Sequence, residues 1–175
     1  FYIDQAEFLI CVVKPNNLII VNYLEKNNTE TMNINVNNAI TMLMKRGFNV
    51  DSIDFDADKR FEELLHHFTN FNPIQATAGS HVPIAESKIK LVKEKIRIIK
   101  ASLPFQLPKS LIKYLVYYVT NRINMLIYES GVSAPPRQLF QGIKVDVKAD
   151  LNLCFGDIVV IKTKSNIKNS VSEYR

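Results

Sequence analysis

"HVPIAESKIKLVKEKIRIIK", residues 81–100, is a stretch with two faces. Ile89, Val92, Ile96 and Ile99 recur at three- and four-residue steps, which predicts an amphipathic helix over residues 84–101. Steps of four and three from Glu86 reach Lys90, Lys93, Arg97 and Lys100, so one acid and a basic ridge share a face away from the isoleucines. One reading is a solvated charged face, with Glu86 favoured at the helix start by the macrodipole. The sharper reading makes Glu86 a metal-binding carboxylate at the head of a ridge that grips phosphates. His81, five residues before Glu86, is a candidate contact to a phosphate or a metal-bound water; its alternative is to close local loop hydrogen bonds.

Upstream, Val50, Ile53 and Phe55 predict a strand over residues 50–55 that runs into the acidic "DFDAD", residues 54–58. Asp56 stands at its end, and Asp54, two residues earlier, shares its sheet face and could substitute for it. A strand end and a helix start are rigid places from which carboxylates can aim oxygens at one ion. Mg²⁺ prefers carboxylate oxygens and water, and two such ions can clamp the attacking and leaving oxygens of a phosphoryl transfer. Asp56 and Glu86 are separated by a short amphipathic helix (61–68), an extended piece (73–77) and an Ala78-Gly79-Ser80 hinge, enough chain to fold back. The plainer alternative is that Asp56 caps the helix that follows it.

Elsewhere, two β-rich runs (8–13 and 18–23) flank "KPNN" and predict a hairpin. Val36, Ala39, Ile40 and Leu43 predict a helix over 33–45, closed at Arg46-Gly47. Pro104 and Pro108 break the chain, and a second long helix is expected from Pro108 to about residue 127. A loop with a short helix follows in "GVSAPPRQLFQG" (131–142), and a last strand is expected over 158–162. This order predicts one α/β domain with a mixed sheet.

The chain has 175 residues and a net charge of +5, unevenly spread. Residues 1–80 carry six Lys/Arg against ten Asp/Glu, and residues 81–175 carry sixteen against seven. An acidic half joined to a basic half suits a site that gathers cations and then meets a polyanion, although uneven surface charge is common. No apolar run approaches the roughly 18 residues that cross a bilayer, and no charged-then-apolar leader opens the chain, so neither membrane nor secretion is expected. Cys11 and Cys154 sit apart in apolar stretches and read as buried free thiols in a reducing compartment. His66 and His67 read as structural, and the histidines form no zinc spacing.

The ordered motifs resemble the integrase catalytic core of retroviruses and LTR retrotransposons, above all the copia-like branch. "FDADKRF" is similar to a motif in which an Asp after a strand precedes an aromatic by five positions, here Asp56 and Phe61. "HVPIAESKIKLVKEKIR" resembles the motif whose Glu opens a basic helix, and "YYVTNRINML" the Asn-Arg near the end of the next, here Asn121 and Arg122. "SAPPRQLFQGIKVD" and "LNLCFGDIVVI" resemble the loop and short Phe-Gly strand beyond.

That resemblance implies an RNase H-like fold, a mixed five-stranded sheet flanked by helices, with the core in residues 1–145 and an extension bearing a short strand in 146–175. It implies a DDE-type polynucleotidyl transferase that trims DNA 3′ ends and joins them to target DNA, using two Mg²⁺ or Mn²⁺ ions on three carboxylates. Asp56 and Glu86 would be catalytic metal ligands, and Lys90, Lys93, Arg97 and Lys100 would hold the element's DNA end. The implied partners are element and target DNA, further copies of the chain and neighbouring Pol polyprotein segments, in a cytoplasmic particle and the nucleus. Three departures stand out. Phe1-Tyr2-Ile3 reads as the end of a truncated first strand and "DQAE" as its turn, so the first carboxylate is expected just upstream of Phe1, with Asp4 as the fallback ligand. Ala57-Asp58 replaces the usual Asn-Gly, and the zinc-binding region that precedes such cores is missing, as expected of a polyprotein fragment. The alternatives are an inactive, integrase-derived remnant that only binds nucleic acid, and a related nuclease that cuts without joining. A complete carboxylate triad separates the first from the enzyme.

Overall fold

The computed structural model describes residues 1–26, 28–77, 82–128 and 133–160. Strand β1 (Tyr2–Ile3) pairs antiparallel with β2 (Ala6–Val13), Tyr2 opposite Glu7 and Ile3 opposite Ala6. A backbone pair at Phe1 and Phe8, 2.7 and 2.8 Å, carries that ladder one position further. On its other edge β2 forms the expected hairpin with β3 (Leu18–Tyr23), from Phe8↔Tyr23 to Val13↔Leu18. β4 (Ile53–Phe55) and β5 (Pro73–Gln75) form a parallel pair.

Among the described residues the strands do not form the one five-stranded sheet expected: three form one sheet and two another. Among the described residues no strand lies on the edge of β2 from Leu9 to Val13 or on the outer edge of β4, so backbone pairing does not join the two sheets there.

The period-2 alternation of β2 puts helices on both faces. Phe8 joins Ile19 and Val21 against α3 (Pro83–Ser102) and α4 (Ile112–Asn124), meeting Val92, Ile96, Leu115 and Val119. Leu9, one residue on, joins the opposite cluster with Met32, Val36 and Ile40 of α1 (Thr29–Lys45), Phe55 of β4 and Leu64 of α2 (Lys59–Leu65). α1 starts four residues earlier than its apolar pattern, because Asn28 caps it by accepting from the Thr31 N–H at 2.9 Å. It stops where Gly47 adopts a φ of +81°. α2 likewise starts earlier, at the Asp58 cap.

The long second helix is divided: Pro108 leads a 3₁₀ turn (Lys109–Leu111) before α4 begins. α5 (Pro136–Gln141) and α6 (Val147–Asp150) follow. The last strand is a correction. Residues 158–160 have no regular structure and Ile158 is 99% exposed, because no described strand edge lies alongside to take its hydrogen bonds; residues 161 and 162 lie outside the described residues, as does the hinge at 78–80. Cys154 is also corrected: it is exposed on a turn where its N–H donates to Asp157 at 2.7 Å. No described helix is long and apolar enough to cross a membrane.

Candidate metal and nucleic-acid site

Asp56 leaves the end of β4, which is fixed from below by Phe55, 4% exposed and in tilted ring contact with Phe61 and Phe68, its centroid 5.4 and 5.9 Å from theirs. Glu86 stands exposed in the first turn of α3, whose start is set by Pro83 and has no side-chain cap. Both carboxylates line one cavity of about 450 Å³, bounded by the open edge of β2, by β4 and by the head of α3. Thirty residues apart in sequence, the two are therefore brought to a common space.

The capping alternative for Asp56 meets a local answer. Asp58 caps α2, its Oδ1 accepting from the Arg60 N–H at 3.0 Å, while Asp56 Oδ1 accepts from the Ala57 N–H at 2.8 Å within the turn. The helix-dipole account of Glu86 stays open, since Glu86 lies in the first turn.

Behind Asp56 is a charge network. Arg60 Nε donates to both carboxylate oxygens of Asp58, at 3.0 and 3.1 Å, and Nη1 donates to Oε1 of Glu7 on β2 at 2.8 Å. The guanidinium holds the Asp58 carboxyl below the usual carboxylate range, and the carboxylates in turn raise the arginine's own value. A hydrogen bond to Glu7 raises the Tyr2 hydroxyl. Cys11, on the same cavity wall, has its thiol pushed up to about 11 by burial, so it is neutral and a poor nucleophile near pH 7.

The donor chemistry suits a hard cation, because carboxylate oxygens with room for water are what Mg²⁺ and Mn²⁺ take. The set is short by one: among the described residues no three Asp, Glu, His or Cys side chains gather. Asp54 lines the cavity but is drawn to Lys14 Nζ, 3.5 Å away. Asp4 sits elsewhere. It lies on an exposed turn with a φ of +44° and pairs with Lys100, fourteen residues beyond Glu86 on α3, a span of roughly 21 Å along a helix. The structure thus does not bring Asp4 to the other two carboxylates.

Along α3, Lys90 and Arg97 are exposed, Lys93 is partly buried, and Lys100 is engaged by Asp4. His81 lies outside the described residues. Three features escaped the sequence reading. Lys88 is buried at 6% on the same helix, Glu7 is buried within an apolar strand, and Asn124 reaches across to β3. Glu7 alone left a trace, a single acid inside "AEFLICVV". The Asn-Arg pair also acquires a structural role. Arg122 stacks 4.9 Å over Tyr118 and donates to the carbonyls of Asp150, at 2.6 Å, and Leu153, tying the extension to α4.

No protein-family model matches the chain, and no curated protein matches it. Solved structures do. The catalytic core domain of BIV integrase aligns with a TM-score of 0.55 at 9% identity, over 79% of this chain and 88% of that one. The HTLV-2 integrase catalytic core domain, in a trimeric form in complex with magnesium, aligns at 0.56 and 16% identity, over 80% and 89%. A chain of the simian T-cell lymphotropic virus intasome in complex with PP2A regulatory subunit B56 gamma aligns at 0.59 and 14% identity, over 100% of this chain and 63% of that one. At these identities the likeness establishes architecture: the chain has the α/β, RNase H-like fold of retroviral integrase catalytic cores.

Proposed function

We propose that this chain is the catalytic core of a copia-like LTR-retrotransposon integrase, a DDE-type polynucleotidyl transferase encoded within a Pol polyprotein. The observation that carries this is the convergence of Asp56 and Glu86 on one cavity in a chain with an integrase-core fold. Its substrates are the element's DNA ends, trimmed at the 3′ side, and the target DNA to which they are joined. Asp56 and Glu86 are the residues that would hold Mg²⁺ or Mn²⁺, and such ions supply Lewis-acid stabilisation and an acidified water. The protein's part is orientation: β4 and α3 fix the two carboxylates, while Lys90, Lys93 and Arg97, together with His81, hold phosphates beside the reacting one. Lys100 ends the ridge and exchanges Asp4 for phosphate when DNA is bound. The third carboxylate comes from upstream of Phe1. Residues 1–145 form the core and 146–175 an extension, and the protein works as a homo-oligomer beside its Pol neighbours, in a cytoplasmic particle and the nucleus.

Glu86→Gln removes the charge and keeps the shape at an exposed position. Mg²⁺-dependent strand transfer by the complete protein is expected to fall to background in this variant with its melting temperature unchanged. Retained transfer would remove Glu86 from the ligand set. A second reading, an inactive remnant that only binds DNA, is favoured by the absence of a three-ligand group among the described residues. Under it the unmutated protein binds DNA with no metal-dependent transfer.

A further inference from the structure

We propose that Arg60 is a positioning residue for the cation site formed by Asp56 and Glu86, an inference that rests on the function proposed above. Arg60 acts on the turn that carries Asp56. Asp56, Ala57 and Asp58 connect β4 to α2, and the turn lacks the Asn-Gly found in the family it resembles. Something else has to fix it. Asp58 bends back to cap α2, and the Arg60 fork grips both of its oxygens.

Capping alone explains that much. It does not explain Glu7. This carboxylate belongs to β2, lies 53 positions away in sequence, has a side chain only 8% exposed, and receives Arg60 Nη1 at 2.8 Å. The guanidinium therefore bolts the 56–58 turn to the other sheet, across the same cavity that Asp56 and Glu86 line. No strand bridges the two sheets at that place among the described residues, so the Arg60 bridge spans the gap that backbone pairing leaves open. Glu7 and Asp58 also line that cavity, and both pair with Arg60. Lysine cannot replace it, because a single ammonium does not satisfy Asp58 bidentately and reach Glu7 at once.

Mn²⁺ binding to the whole chain, followed by the paramagnetic signal of the free ion, tests this alongside amide exchange at residues 56–58. The unmutated chain is expected to bind Mn²⁺, Asp56→Asn and Glu86→Gln to lose it, and Arg60→Ala to bind about 10- to 100-fold more weakly, the range typical of lost outer partners. Faster exchange at 56–58 should accompany the loss, and Arg60→Lys should recover only part of it. Arg60→Ala leaves Glu7 buried without this partner, so the double variant Arg60→Ala/Glu7→Gln supplies a folded comparison. Weak binding in the double variant supports positioning; affinity restored to the parent's level means that Arg60 merely offsets the Glu7 charge, and overturns the proposal. Parent-like or tighter binding in Arg60→Ala overturns it too, while the Asp56–Glu86 site survives. No Mn²⁺ binding by the parent that Asp56→Asn or Glu86→Gln abolishes removes the site itself, and Arg60's role with it.

Discussion

At the scale of single residues, the side chains that hold this fold at its seams are polar. Asn124 is the clearest. Its Oδ1 accepts from the Ile19 N–H at 2.9 Å and its Nδ2 donates to the Ile19 carbonyl at 2.7 Å, closing both backbone groups on the outer edge of β3 from a position on α4. Asn124 is itself buried, so truncation strands two main-chain groups away from water. Asn124→Ala is expected to lower stability by about 1–3 kcal/mol in chemical denaturation, and a change within about 0.5 kcal/mol would mean that water takes over both bonds. Nothing in "NRINML" marked Asn124, because its partner is 105 positions away. Cysteine illustrates the same limit. Both thiols sit in apolar sequence, yet only Cys11 is desolvated, while Cys154 is exposed on a turn.

At the scale of elements, periodicity was a sound guide wherever an element could be recognised from its own stripe. α3 runs from Pro83 to Ser102 against the expected 84–101, with Val92 and Ile96 fully buried as the spacing requires. The same spacing leaves Lys90 and Arg97 exposed, with Lys93 partly buried between them. Lys93→Glu is expected to weaken DNA binding and to flatten its dependence on log salt concentration by about one unit, as for a lost phosphate contact. An unchanged slope would return the ridge to plain solvation. Strands were less legible. The run at 158–160 has the β-branched composition of a strand, but a strand is a relation between two segments and its edge partner is not among the described residues.

At the scale of the whole molecule, the open lane between β2 and β4 decides how the site is completed. The pairing register sets Phe1 against Phe8, and Phe1 packs with Phe8 and Val92 in the cluster on the α3 side of the sheet. A strand continuing that ladder upstream would place alternate residues on the same side, so the second residue before Phe1 would face the helix that carries Glu86. In the complete reading frame an Asp is expected there, on the proposed function. Sequencing upstream of Phe1 checks it, and a stop codon or a non-ligating residue in both of the two preceding places would favour the remnant.

By itself, the sequence determined the α/β class, the helices with their buried faces, and the pairing of an acid with a basic ridge on one helix. Each of these depends on residues a few positions apart, where geometry is local and repeats with the period of the element. Only the tertiary structure decided that Asp56 and Glu86 share a cavity, that Asp4 is drawn away to Lys100, and that Arg60 ties the Asp56 turn to Glu7. Those relations join side chains 30 to 96 positions apart. Their proximity depends on how sheets and helices pack around two separate cores, and no spacing along the chain encodes that.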